Sequence, residues 1–306
     1  MPTDLLSMND LTDGDVRDLL DAAALYKRRA VSGAPLGGKS VVLLFEKPSL
    51  RTKVSFDIAV AELGGHPIYL GRDEVGLDKR EPVEDVAQIL SRWAGAIVAR
   101  VFAHRSLVRL ASAATVPVIN ALSDLEHPCQ ALADVLTIRE RFGKLDDVSV
   151  AYVGDANNCA LSLALACAAT GANFRIASPS GYGFSAEAIG AISSRFQHRR
   201  DAIADHGQDP AAAVRGADVV YTDVWTSMGQ EEEAQLRRAD FQDFQVNEAL
   251  LAKAKPTAIL MHPMPAHYGE EVPAGMLAQH QSAAIDQAEN RLHAQKAVLR
   301  LLVAGE

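Results

Sequence analysis

The sequence predicts an α/β protein of two doubly wound domains, each built on a central parallel sheet. Short apolar runs of strand length alternate with segments of helical period along almost the whole chain, the pattern of parallel strands joined by crossover helices. The polar clusters rich in Ser, Asn, Asp, His and Gly follow the strand-like runs, and ligands bind at those carboxyl ends in such sheets. The length of 306 residues suits two domains. A polar, glycine-initiated break at 143–147 offers the boundary, giving a first domain over 1–142 and a second over 143–285, with a last helical part at about 286–306.

From the N-terminus, Thr12 and Asp15 have the spacing of a capping box. Val16, Leu19, Leu20 and Ala23 form the buried stripe behind it, and Lys27, Arg28 and Arg29 close the helix where its dipole favours cations. Residues 41–44 read as a buried strand. Phe56, Ala59, Val60 and Leu63 then recur at helical spacing until Gly64 and Gly65, so Ser49 stands at the helix N-cap. A strand at 67–70, a polar exposed loop over 71–82, a helix at 83–93, a strand at 96–101 carrying Arg100, a helix at 106–114, a strand at 116–121 and a helix to about Phe142 complete the first half. In the second half, strands are expected at 148–153, 173–177, 217–222 and 258–261. Helices are expected at 160–170, 186–195 and 210–215, and a mostly helical part over 277–302.

The formal charge of −9, from 30 basic and 39 acidic residues, argues against nucleic-acid binding, which rests on basic surface. A small anion needs only local positive charge. Cys129, Cys159 and Cys167 are an odd, sparse set without metal-site spacing, which points to reduced thiols in the cytoplasm. The first residues lack the regions of a signal peptide, and the longest apolar run, about 159–169, is too short to span a bilayer, so no membrane partner is expected. Nothing in the chain calls for a metal or a cofactor: Gly154 follows a strand, but G-x-G-x-x-G is missing.

Five clusters carry chemistry. Ser49, Leu50, Arg51 and Thr52 open a helix, so main-chain N–H groups, the positive end of the dipole, two hydroxyls and a guanidinium converge as a holder for a tetrahedral oxyanion. Arg100 ends an apolar strand and reads either as a snorkelling Arg or as part of a site. His127, Pro128, Cys129 and Gln130 open another helix, where the His can donate to a developing oxyanion and the Gln can bind an amide. Asp223, ahead of Trp225, Ser227, Met228 and Gly229, is an acceptor for an ammonium group or a plain cap. Trp225 reads as packing. His262, Pro263, Met264 and Pro265 form a turn whose prolines freeze the backbone and leave carbonyls outward. Asn157 and Asn158 read as turn formers, and Arg291 as a surface residue, when each is taken alone.

In this order the clusters resemble the aspartate/ornithine transcarbamoylase family: Ser49-Leu50-Arg51-Thr52 matches S-x-R-T, His127-Pro128-Cys129-Gln130 matches H-P-x-Q, His262-Pro263-Met264-Pro265 matches H-x-x-P, and Glu289-Asn290-Arg291 matches E-N-R. Asp223-Val224-Trp225-Thr226-Ser227-Met228-Gly229 is similar to the D-x-W-x-S-M-G loop of the family's ornithine-specific branch. The resemblance spans almost the whole chain. It implies two domains joined by interdomain helices, with the C-terminal helix packing back on the first. It implies carbamoyl transfer from carbamoyl phosphate to the δ-amine of L-ornithine in arginine metabolism, by direct amine attack without covalent nucleophile, metal or cofactor. Ser49, Leu50, Arg51 and Thr52 would hold the phosphate, Arg100 and His127 the carbonyl oxygen, Gln130 the amide, and Arg291 would add a basic contact. Asn158, Asp223, Ser227, Met228, Pro263 and Met264 would hold ornithine, with Pro263 at a position counted with Arg100 and His127 as catalytic. The family's usual assembly implies a homotrimer or a multiple of trimers.

Three departures bear on that reading. Pro263 replaces the usual Cys of the ornithine-specific branch and matches the aspartate-specific one, so transfer to another amine (putrescine, acylated ornithine or aspartate) stays open beside a silent carbamoyl phosphate-binding relative. Glu74 stands where the family often has Gln, with two extra residues after it, which affects a loop contact to a neighbouring subunit. Lys53 replaces an Arg, a change that matters at a bidentate site.

Overall fold

A computed structural model describes residues 2–196, 203–205, 207–227 and 229–305, with no side chains described at 75 or 203–205. The chain divides into two compact units, Met1–Leu136 with Glu289–Glu306, and Thr137–Ala288.

In the first unit, α1 (Asp13–Lys27) begins at the expected capping box: the Thr12 side chain accepts from the Asp15 N–H and Asp15 answers on the Thr12 backbone. Strand β1 (Ser40–Phe45) feeds α2 (Leu50–Glu62), capped by Ser49, whose hydroxyl accepts from the Thr52 N–H at 3.3 Å. Strand β2 (His66–Leu70) holds Pro67 at the sheet edge, where a missing N–H is tolerated. The loop expected over 71–82 contains a one-turn helix, α3 (Arg72–Val75), and a buried Leu77. The Glu74 carboxylate caps that turn, accepting from the Gly71 N–H at 2.8 Å, and Arg109 binds Asp78 and Glu84 across it. Two of the polar residues that marked this stretch as loop, Glu74 and Asp78, are engaged in those bonds. Then come α4 (Val83–Trp93), β3 (Ala96–Arg100), α5 (His104–Ala113), β4 (Val118–Leu122) and the start of α6 (Pro128–Phe142).

The four strands are parallel, in the order β2-β1-β3-β4. The chain leaves β1 to one side and returns on the other, so the switch point lies between β1 and β3. A bulge between Ala99 and Arg100 interrupts the β3–β4 register and re-aims the strand end that carries Arg100.

The second unit starts within α6 and runs through β5 (Ser149–Val153), α7 (Asn158–Thr170), β6 (Asn173–Ala177), α8 (Ala186–Arg195), β7 (Ile203–Asp205), α9 (Pro210–Val214), β8 (Val219–Tyr221), α10 (Ala234–Asp240), α11 (Glu248–Leu251) and β9 (Ile259–Met261). The chain passes back to the first unit within α12 (Ala284–Leu299). The sheet is again parallel, β7-β6-β5-β8-β9, with its switch point between β5 and β8. Helix α7 is buried nearly all round, which its Ala, Leu and Cys content requires. The core of this unit gathers Val153, Val220, Phe241, Val246, Leu251, Leu260 and Met276. Strand β7 and helices α10 and α11 are too short for a periodic signature and follow from packing.

Candidate active site

At the switch point of the first sheet, Ser49–Thr52 follow β1 and Arg100 ends β3, beside Phe45 in register. His127 follows β4 at the start of α6. The fifth motif joins them. Arg291, on α12, donates through Nη2 to Thr52 Oγ1 at 2.7 Å and through Nη1 to Gln130 Oε1 at 2.8 Å. Gln130 in turn donates to Asp134 at 2.8 Å. Arg291 is therefore buried, 5% exposed, and not the surface residue it resembles when read alone. Three positions far apart in sequence meet on one guanidinium, whose planar fork suits two acceptors at once.

The charge is arranged for an anion. Arg100, Lys47 and Arg291 are buried, and Arg51 is half-buried, its guanidinium drawn below the ordinary value by burial. Lys47 lies over the Phe102 ring at 4.9 Å, and Lys53 over Tyr69 at 3.5 Å. Lys53 thus sits on an aromatic face. Burial, then Arg291 and Arg100, push His127 well below the ordinary imidazole range. A neutral ring offers one N–H donor without adding to the cation count. Burial, opposed by Arg291, raises the Cys129 thiol to about 12, so it remains protonated and inert.

At the switch point of the second sheet, the turn after β5 meets the loop after β8. Gly154 has φ +142°, which the turn requires. Asn157 is the N-cap of α7: its side-chain oxygen accepts from the N–H groups of Cys159 and Ala160, and its amide donates to Asp223 Oδ2 at 2.8 Å. Sequence reasoning placed Asn158 at the site and took Asn157 for a turn former. Asn158 is half-buried in the first turn of α7, and its oxygen accepts from the Cys159 N–H at 3.0 Å. Asp223 is both an acceptor aimed across the switch point and a local cap, since Oδ1 accepts from the Val224 N–H at 2.8 Å. Ser227 closes a turn with Gln230 through two bonds of 3.0 Å. Met228 lies outside the described residues. Trp225 is buried against Phe241, at 5.8 Å between centroids, as packing predicts.

Sequence reading missed Arg237, on α10. Its guanidinium, nearly buried, donates to Asp155 Oδ2 at 2.8 Å, to the Trp225 carbonyl at 3.0 Å and to Glu233 at 2.9 Å. It ties the turn carrying Asn157 to the loop carrying Asp223 and Ser227. Burial raises Asp155 above the ordinary carboxylate range, although Arg237 opposes the shift. A buried Arg reads as a surface Arg in sequence, so only its neighbours in space reveal it.

The turn after β9 is held from below. The Met264 N–H donates to His262 Nδ1 at 2.8 Å, which leaves the ring proton on Nε2, facing Glu271 Oε1 at 3.1 Å. Glu271 also accepts the His267 N–H at 2.6 Å. Met264 is half-buried with φ +56°, a left-handed conformation that costs of order 1 kcal/mol outside glycine. Pro263 is buried and has neither an N–H nor a titratable proton, so it can offer chemistry only through its carbonyl and its shape. No described helix is long and apolar enough to cross a membrane.

Residues 3–140 match the family model for the carbamoyl-P binding domain of aspartate/ornithine carbamoyltransferase, and residues 146–302 match the model for its Asp/Orn binding domain. An ornithine carbamoyltransferase of Acidothermus cellulolyticus is 51% identical over 97% of this chain and 96% of its own length. The anabolic ornithine carbamoyltransferase of Pyrococcus furiosus is 46% identical over 99% of this chain and 96% of its own. A structure of the Pyrococcus furiosus enzyme superposes with a TM-score of 0.94 over 99% of this chain and 97% of that one.

Proposed function

The chain belongs to the aspartate/ornithine carbamoyltransferase family, and we propose that it transfers the carbamoyl group of carbamoyl phosphate to the δ-amine of L-ornithine, giving L-citrulline and phosphate. The observation that carries the reading is the Arg291 fork, which gathers Thr52 and Gln130 beside a cation-rich switch point. Ser49, Leu50, Arg51 and Thr52 hold the phosphate through side chains and the N-terminal turn of α2. Arg100 and neutral His127 stabilise the oxyanion that forms when the amine attacks the carbamoyl carbon, and Gln130 orients the carbamoyl amide. A C–N bond forms, the C–O bond to phosphate breaks, and the amine releases a proton. Asn158, Asp223, Ser227 and the Met228 backbone hold the α-amino and α-carboxylate groups, with Pro263 and Met264 shaping the side-chain end. The anabolic relative supports a place in arginine biosynthesis.

Pro263 favours one competing reading, transfer to a different amine. The test is a panel of ornithine, putrescine, acylated ornithine and aspartate with carbamoyl phosphate, read as product formed. Citrulline as the dominant product is expected; turnover of another amine in preference to ornithine overturns the assignment. We further propose a homotrimer or a multiple of trimers. Leu50, Val54 and Ile58 run exposed along α2 at four-residue spacing, an apolar stripe suited to burial against another copy. Light scattering that gives the mass of a single 32.7 kDa chain removes this part.

A further inference from the structure

We infer that the N-terminal segment ahead of α1 is part of the catalytic scaffold, and that Glu126 is the positioning residue that latches it to the His127 turn. Leu5 lies beside β4, its N–H donating to the Val118 carbonyl at 2.9 Å and its carbonyl accepting from the Asn120 N–H at 2.8 Å. A short turn of 3-10 helix, Met8–Asp10, follows, capped by Ser7. Glu126 is 3% exposed and immediately precedes His127. One carboxylate oxygen accepts from the Ser7 hydroxyl at 2.5 Å, the other from the Met8 N–H at 3.0 Å.

The same turn is fixed from its backbone. The Ser123 N–H donates to the Glu126 carbonyl at 3.0 Å, and the Glu126 N–H donates to Ser123 Oγ at 3.2 Å. The Asn120 amide donates to the Leu6 carbonyl at 2.8 Å and to the Glu126 carbonyl at 3.3 Å, so one side chain binds the N-terminal segment and the turn together. Five of these bonds therefore end on Glu126, the residue whose carbonyl leads into His127. A displacement of the turn moves a ring that must meet a substrate atom within hydrogen-bond reach, and small misplacements of such groups are costly. A buried carboxylate is expensive to hold unless its oxygens are satisfied, which argues that this one is kept for what it orients.

The inference rests on the proposed contact between His127 and carbamoyl phosphate. It is tested with full-length Ser7→Ala, Ser7→Thr and Glu126→Gln in citrulline formation, varying each substrate in turn, with carbamoyl phosphate binding measured by calorimetry. Ser7→Ala and Glu126→Gln should raise the KM for carbamoyl phosphate by about tenfold, in line with the loss of a hydrogen bond to a charged group. The ornithine KM should stay within about twofold. Ser7→Thr, which keeps the hydroxyl, should restore the parent value. A purely structural latch lowers the melting temperature and the active fraction without moving either KM, and that outcome overturns the inference. If the parent makes no citrulline yet binds carbamoyl phosphate, the ornithine reading fails, and calorimetric affinity across the three variants still decides the latch.

Discussion

At the switch point of the first sheet, between β1 and β3, the side chains are cations and hydroxyls: Arg51, Arg100, Ser49 and Thr52, with Arg291 bonded to Thr52 and a neutral His127 under the charges of Arg291 and Arg100. At the switch point of the second, between β5 and β8, they are a carboxylate and amides: Asp223, Asn157 and Asn158, with the cation Arg237 held behind them against Asp155. The backbone device is the same in both units, a parallel sheet whose strand order reverses and whose carboxyl ends splay into a crevice. What differs is the sign of the side chains placed there. Topology provides the crevice, and a few residues decide whether it suits an anion or an ammonium group.

Removing the charge difference at its strongest point should have the largest effect. Arg51→Ala is expected to lower kcat/KM for carbamoyl phosphate by at least about a hundredfold, roughly 3 kcal/mol, by steady-state kinetics. An unchanged dependence on carbamoyl phosphate would show that the first crevice is not the anion site. Arg237→Gln leaves the half-buried Asp155 without its cation. Unfolding in denaturant should show a loss of about 3 kcal/mol, and the ornithine KM should rise while that for carbamoyl phosphate holds. A rise in both would mean that Arg237 acts on the whole fold and not on its two loops.

Asp223→Asn should weaken ornithine by roughly 2 kcal/mol in kcat/KM, leaving carbamoyl phosphate unaffected. The reverse pattern would exchange the roles of the two crevices. The pH dependence sharpens the contrast. Burial, first of all, holds His127, His104 and His293 of the first unit below the ordinary imidazole value. A folded pKa below the unfolded one, about 6.5, means that the neutral rings support the fold above that pH. Their contribution is lost as pH falls from there toward the folded values. Asp155 is raised, so its contribution runs the other way and weakens as pH rises above the acid range. The melting temperature should therefore drop between pH 7 and pH 5, and His127→Gln should flatten the drop; an unaltered slope would remove His127 from the account. Glu74→Gln is the smallest change. Its carboxylate caps a one-turn helix, so a stability loss below about 1 kcal/mol and an unchanged carbamoyl phosphate KM are expected. A large rise in that KM would place the 71–82 loop at a site after all.

Much of this was legible in the residues themselves. Capping at Thr12 and Ser49, the apolar stripes of α1 and α2, the buried runs of β1, β5 and β6, and the order of polar clusters after strands all rest on contacts a few residues apart. Local rules act along the chain, so the order of residues alone determined the alternation of strands and helices and the position of every candidate motif except Glu289-Asn290-Arg291, which lies inside α12, at a strand end. Only the tertiary structure decided which motifs meet. Arg291 reaching Thr52 and Gln130, Arg237 joining Asp155 to the Trp225 carbonyl, and Glu126 taking Ser7 and Met8 are pairings across long stretches of chain. A guanidinium or carboxylate carries no mark in sequence of whether water or a buried partner will satisfy it. That choice is made when packing excludes the water, and it made Arg291 the link between Thr52 and Gln130 in the first candidate site.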